Sequence, residues 1–168
     1  TGGADVDPGW FTTAMPARYE DLIFLNLGQH IVAFDALTGL MRWKHAHRAQ
    51  DIMLDPTQRP LGANDIEAQG RTLVTATGID YGDERAGDGA LLCLDGPTGH
   101  LRWSVVLDNH PDIERSEGMI PCSAPIVHEG IVYVLARVIT PQRLHSESLV
   151  AIDLRDGRVL WSRWIASS

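Results

Sequence analysis

Along most of this chain apolar and polar residues alternate with a period of two, the spacing of half-buried strands rather than of helices. Leu22-Ile23-Phe24-Leu25 and Ile31-Val32-Ala33-Phe34 predict two strands after a short edge at Met15-Pro16-Ala17. Asp65-Ile66-Glu67 and Thr72-Leu73-Val74-Thr75-Ala76 flank a turn at Ala68-Gln69-Gly70. Ala124-Pro125-Ile126-Val127 leads through Glu129-Gly130 into the β-branched and aromatic run Ile131-Val132-Tyr133-Val134-Leu135. Ser148 to Ile152 and Val159 to Trp161 predict two more strands, and no segment has a convincing helical stripe. The expected class is all-β.

The strands recur with a long period. Ala33-Phe34-Asp35-Ala36-Leu37-Thr38-Gly39-Leu40-Met41-Arg42-Trp43 returns as Cys93-Leu94-Asp95-Gly96-Pro97-Thr98-Gly99-His100-Leu101-Arg102-Trp103. It returns again as Ala151-Ile152-Asp153-Leu154-Arg155-Asp156-Gly157-Arg158-Val159-Leu160-Trp161, with the aspartates 60 and 58 residues apart. A constant period of this size marks an array of one supersecondary unit. Four short antiparallel strands per unit make one blade of a β-propeller, where radial stacking protects strand edges. The expectation is an arc of about three blades, over residues 11–46, 61–107 and 121–165. Closed propellers carry about four to eight blades. A fragment of a larger propeller, or an arc completed by another chain, is therefore expected.

Each motif has a mechanical reading. Asp35, Asp95 and Asp153 end a third strand, where a carboxylate can accept N–H bonds from the following turn. Gly39, Gly99 and Gly157 supply the positive φ of a tight hairpin. Trp43, Trp103 and Trp161 follow four residues later, and a large flat ring there suits packing against a neighbouring blade. The pattern Ala-x-Asp-x-x-Thr-Gly-x-x-x-Trp resembles the tryptophan-docking motif of the PQQ-like, or quinoprotein-type, β-propellers. The resemblance spans about Ala14 to Trp161, with Cys93 in place of Ala and Asp156 in place of Thr as mild departures. It implies a propeller of about seven or eight blades. It also implies that these nine Asp, Gly and Trp residues dock blade to blade. WD repeats have a shorter period of about 40 to 45 residues, and no Trp-Asp pair occurs here.

Charge narrows the partners. The net charge is −8, from 22 acidic and 14 basic residues, which argues against nucleic acid or an anionic membrane surface. No run reaches the roughly 18 apolar residues of a membrane span. Cys93, in a predicted third strand, and Cys122, before the next blade's first strand, are expected far apart and unbridged, as buried thiols. The family resemblance implies a periplasmic or exported location.

Alternating strand direction sorts the connections onto two faces. Gln69-Gly70, Glu129-Gly130, Thr38-Gly39, Thr98-Gly99 and Asp156-Gly157 make tight turns on one face. Residues 46–63, 78–89, 108–121 and 138–146 form long loops on the other, where a binding surface is expected. The acidic, Gly-rich run Gly78 to Gly89 suggests calcium but lacks the ligand spacing of an EF-hand. Lys44-His45-Ala46-His47 offers two imidazoles, and His110 stands near Asp108 and Asp112. These read as solvated surface rather than metal sites, and the imidazole pair would need a third ligand from elsewhere. Glu114, Arg115 and Glu117 read as a charged loop surface. No catalytic, cofactor-binding or metal residue is singled out.

Three functions compete. The first is a non-catalytic interaction or assembly platform in the bacterial cell envelope, as in BamB-type scaffold lipoproteins, with protein partners on the long-loop face and no cofactor. The second is part of a PQQ- and calcium-dependent alcohol or sugar dehydrogenase, whose cofactor would do the chemistry. Many alcohol-oxidising members hold adjacent cysteines against the quinone, a device absent here. The third is an envelope propeller that binds glycans or small ligands. Tyr81 alone supplies a loop aromatic for sugar stacking. Trp10 and Trp164, outside the motifs, are expected to pack the ends of the arc.

Overall fold

The structure is a computed structural model that describes residues 15–27, 30–46, 65–77, 89–139 and 145–167. The described residues contain strands and turns without a helix. The first sheet runs β1 (Ala17–Tyr19), β2 (Leu22–Asn26), β3 (His30–Asp35) and β4 (Met41–Ala46) in that order, antiparallel throughout. The second runs β5 (Ile66–Gln69), β6 (Thr72–Thr77), β7 (Ala90–Asp95) and β8 (Leu101–Val106) in the same way. The third has β10 (Ile126–His128), β11 (Ile131–Ile139), β12 (His145–Asp153) and β13 (Val159–Ser167), with β9 (Met119–Pro121) also paired to β11. This is part of a β-propeller, the all-β arc that the alternation and the repeats predict.

Two departures from the predicted elements occur in the third sheet. The first strand is split: β9 and β10 both pair with β11, and Cys122-Ser123-Ala124-Pro125 bridges them. The Cys122 N–H donates to the Leu135 carbonyl and the Ser123 hydroxyl accepts from the Leu135 N–H, so a side chain replaces one ladder bond. Pro121 and Pro125 lack N–H donors, which favours an interruption at this edge. The loop expected at 138–146 is also shorter, because β11 and β12 pair through Ile139↔His145. Arg137 and Glu147 face each other across that extension, 2.7 Å apart, and such cross-strand charge pairs favour continued pairing.

Alternation places every second side chain between sheets. Leu22, Phe24, Ile31 and Ala33 meet Ile66, Leu73, Leu92 and Leu94 between the first and second sheets. Val74, Ala76, Leu91, Cys93, Trp103 and Val105 meet Val127, Val132, Val134, Val150 and Ile152 between the second and third. The core is thus two parallel seams. Cys93 and Cys122 are free thiols, and burial pushes both up, Cys93 to about 11.

Candidate functional site

The three motif turns share one construction. The N–H groups of Gly39, Gly99 and Gly157 donate to the carbonyls of Asp35, Asp95 and Asp153 at 2.9, 2.7 and 2.9 Å. The Asp N–H then donates to the carbonyl five residues on, at 2.8 Å in all three. The glycines sit at φ of 69°, 71° and 77°, a region that costs a residue with a Cβ roughly 1–2 kcal/mol.

A register shift in each third–fourth strand pair sets the direction of the tryptophan. Ala33 pairs with Trp43 while Phe34 pairs with Met41, which leaves Arg42 as an extra residue. Arg102 and Leu160 are extra in the same way. Such a bulge bends the strand and re-aims the next side chain. Each indole consequently lies on the same face as the alanine or cysteine opposite it.

The next turn lies under the ring. Trp43 Nε1–H donates to the Gly96 carbonyl at 2.8 Å, and Trp103 Nε1–H to the Leu154 carbonyl at 2.9 Å. A Cβ on Gly99 would stand 2.6 Å from Trp43 Cδ2, and one on Gly157 2.9 Å from Trp103 Cδ2. Glycine is therefore required there twice over, for φ and for the ring. The structure brings Trp43 to Asp95 and Gly99, and Trp103 to Asp153 and Gly157. Trp161 and the Asp35–Gly39 turn stand apart at the two ends.

The motif carboxylates are held as anions. Asp35 Oδ1 accepts from the Leu37 and Thr38 N–H groups and from the Thr38 hydroxyl, and these bonds, led by the Thr38 N–H, hold its pKa below the ordinary carboxylate value. Burial opposes ionisation of Asp95, but the Thr98 hydroxyl, Arg102 and Arg71 outweigh it and bring the group to about 2. Arg102 Nη2 lies 2.8 Å away and Arg71 Nη2 3.2 Å. In the third turn Asp156 replaces the threonine and so removes the hydroxyl donor. Arg155 takes over, with its N–H and guanidinium on Asp153, which also falls to about 2.

Several seam residues were not singled out in the sequence. Asn26 is fully buried and donates to Thr75 Oγ1 at 2.8 Å and to the Ala76 carbonyl at 3.1 Å. The Thr75 hydroxyl in turn donates to the Asp65 carbonyl at 2.9 Å. His45, expected in solvent, instead lies partly buried against the Gly99 backbone, and burial lowers its pKa. The available signal was its position two residues beyond Trp43, which puts both side chains on one face of β4.

Of the long loops, 108–121 is described and folded onto the core. Ile113 and Met119 are buried, and Asp108 Oδ1 accepts from the Gly118 N–H at 2.6 Å and from Asn109 Nδ2 at 2.8 Å. Asn109, Arg115 and Gly118 take positive φ within it. Glu114, Arg115 and Glu117 are exposed and His110 partly so, with the His110 ring nitrogen accepting from the Asp112 N–H. No group of three or more His, Cys, Asp or Glu suited to a metal stands among the described residues. The loops expected at 46–63 and 78–89, with Trp10, His47 and Tyr81, lie almost wholly outside the described residues. No helix among them is long and apolar enough to cross a membrane.

A family model described as "Outer membrane protein assembly factor BamB" matches residues 27–168. The chain belongs to this family of PQQ-like propellers. No curated protein matches it in sequence. Among solved structures, a europium-containing methanol dehydrogenase is 15% identical with a TM-score of 0.61, over 89% of this chain and 24% of that one. A quinohemoprotein alcohol dehydrogenase from Pseudomonas putida HK5 is 15% identical with a TM-score of 0.62, over 88% and 26%. BamB from Moraxella catarrhalis is 14% identical with a TM-score of 0.46, over 88% and 50%. The chain thus spans about a quarter of the dehydrogenase structures, and at this identity the likeness is one of fold.

Proposed function

We propose that this chain is a non-catalytic, rigid segment of a propeller that presents its long-loop face to protein partners, as an interaction or assembly platform in the bacterial cell envelope. The observation that carries this reading is the match of residues 27–168 to a family described by an assembly factor. The geometry supports it in two ways. Indole-on-glycine contacts with a hydrogen bond at each seam suit the docking of one blade on the next. The loop 108–121, pinned by Asp108, Ile113 and Met119, holds exposed charged groups in a fixed arrangement, and a preorganised loop loses little freedom on binding.

The test uses photo-crosslinking side chains placed in the envelope of a bacterial host. A crosslinker at Glu114, on the long-loop face, is expected to yield discrete protein adducts, and one at Gln69, on the tight-turn face, none. Adducts only from Gln69 would refute the reading. In parallel, the protein is mixed with PQQ and calcium and offered alcohols and sugars with a reducible dye. Quinone absorbance with dye reduction would replace the platform by the dehydrogenase alternative.

A further inference from the structure

Trp164 takes no part in the ring-on-glycine contacts. It follows Trp161 by three residues in β13, on the opposite face of the strand, and pairs with Ser148 of β12. Ser148 in turn lies opposite Ala136, a buried member of the second seam, and directly paired residues share a face of the sheet. The indole therefore stands on the face turned toward the second sheet, and not, as the sequence suggested, at an end of the arc. It is nevertheless 61% exposed. The second sheet supplies an internal control. Val106 holds the same place, three residues past Trp103 and paired with Ala90. It is 47% exposed, although a complete connection and a third sheet follow it in the chain. Exposure here belongs to the position within the blade.

Hydroxyl groups border this ring. Trp164 Nε1–H donates to Ser146 Oγ at 3.0 Å. Ser148 lies opposite, and Ser162, two residues earlier in β13, shares the face. An indole has one donor, and the bond to Ser146 engages it, so what remains for a ligand is aromatic surface held in a fixed orientation. An aromatic anchor for a protein partner stands in a well-packed, desolvated pocket, whereas this one is edged by serines. We propose that Trp164 is a stacking platform for a neutral pyranose unit of a glycan. The C–H face of the sugar lies on the indole, and a ring hydroxyl exchanges a hydrogen bond with Ser162. The net charge of −8 disfavours an acidic sugar. This site goes beyond the protein-platform reading and is independent of it, because the crosslinker at Glu114 can fail while Trp164 binds, and the reverse.

Titration with maltohexaose, cellohexaose and chitohexaose, each to about 10 mM to reach weak affinities, decides it. Isotope-edited NMR resolves the indole N–H signals of the five tryptophans, and the signal that vanishes in Trp164→Phe belongs to Trp164. At least one of the three sugars should move that signal saturably while those of Trp43 and Trp103 stay in place. Calorimetry then compares variants with the best of the three. Trp164→Ala should weaken binding about tenfold or more, as loss of an aromatic anchor does. Trp164→Tyr keeps an aromatic face and should stay within about threefold of the parent protein. Ser162→Ala removes one hydrogen bond and should cost about threefold. Unshifted Trp43 and Trp103 signals in each variant show that the seams remain docked. No saturable movement of the Trp164 signal with any of the three sugars overturns the proposal. So does binding that Trp164→Ala leaves undiminished.

Discussion

The seam between the first and second sheets and the seam between the second and third are built on the same indole-over-glycine contact, but they are filled differently. Beside Trp43 the first seam holds the buried Asn26, bonded to Thr75 and Ala76, and the half-buried His45. The matching positions beside Trp103 are Ala76 and Val105, and Leu107, Ile113 and Met119 extend that cluster. Apolar burial is non-directional, whereas a buried amide is tolerable only opposite its acceptors. The second seam therefore contributes more area, and the first more register. A repeat can thus hold its turn and ring constant and still give each interface a distinct identity.

The sharpest way to test that contrast is to remove the rings one at a time. Trp103→Ala deletes a side chain that is 8% exposed within the larger cluster and should cost about 3–5 kcal/mol, as for large-to-small core changes. Trp43 is only partly buried, so Trp43→Ala is expected to cost less, about 2 kcal/mol by the same accounting. Urea unfolding of both variants gives the two losses. Equal values would mean that the extra apolar area of the second seam contributes nothing.

The next effect in size belongs to the amide. Asn26→Leu leaves the Ala76 carbonyl without its side-chain donor, and should destabilise by about 1–3 kcal/mol, the cost of a buried group left unsatisfied. Thr75 loses a donor to its oxygen but keeps its bond to Asp65. If the seam is held by this network, adding Thr75→Val to Asn26→Leu should cost less than the two single losses together, a coupling that a double-mutant cycle reads directly. Strict additivity would show that the two side chains act independently.

Much of this architecture was legible in the chain, and the part that was not has a common cause. Period-two alternation and three copies of one motif identify the sheets, because both are local properties. The Asp, Gly and Trp positions stand in the turns and fourth strands where the pattern puts them. The split of β9 from β10 depends on how Ser123 substitutes for a backbone donor, and no spacing rule reports that. Asn26 drew no reading from the sequence, and His45 read as a solvated imidazole. Their partners, Thr75 and Gly99, lie 49 and 54 residues away, so their burial is a property of the seam and not of the strand. Arg42, Arg102 and Arg155 were equally silent, because their role is to pair with the motif carboxylate within each turn.

Acid separates the two seams more gently, through groups whose ionised or neutral form the fold prefers. Asp95, beneath Trp43, and Asp153, beneath Trp103, both sit at about 2, against an ordinary value of 3.8. A depressed carboxylate contributes stability that is complete above the unfolded value and is lost as pH falls toward the folded one. Both seams should therefore weaken between about pH 4 and pH 2. His45 adds a second window in the first seam alone. Its pKa lies below the ordinary 6.5 because burial disfavours the charged ring, so the unfolded chain takes up a proton there first and stability declines as pH drops below about 6.5. Thermal melts of His45→Val across pH 7 to 4.5 should be flatter than those of the parent protein. Asp95→Asn should be flatter only below about pH 4, where its carboxylate would have titrated. A His45→Val profile that still follows the parent would place the histidine in solvent and erase the chemical distinction between the two seams.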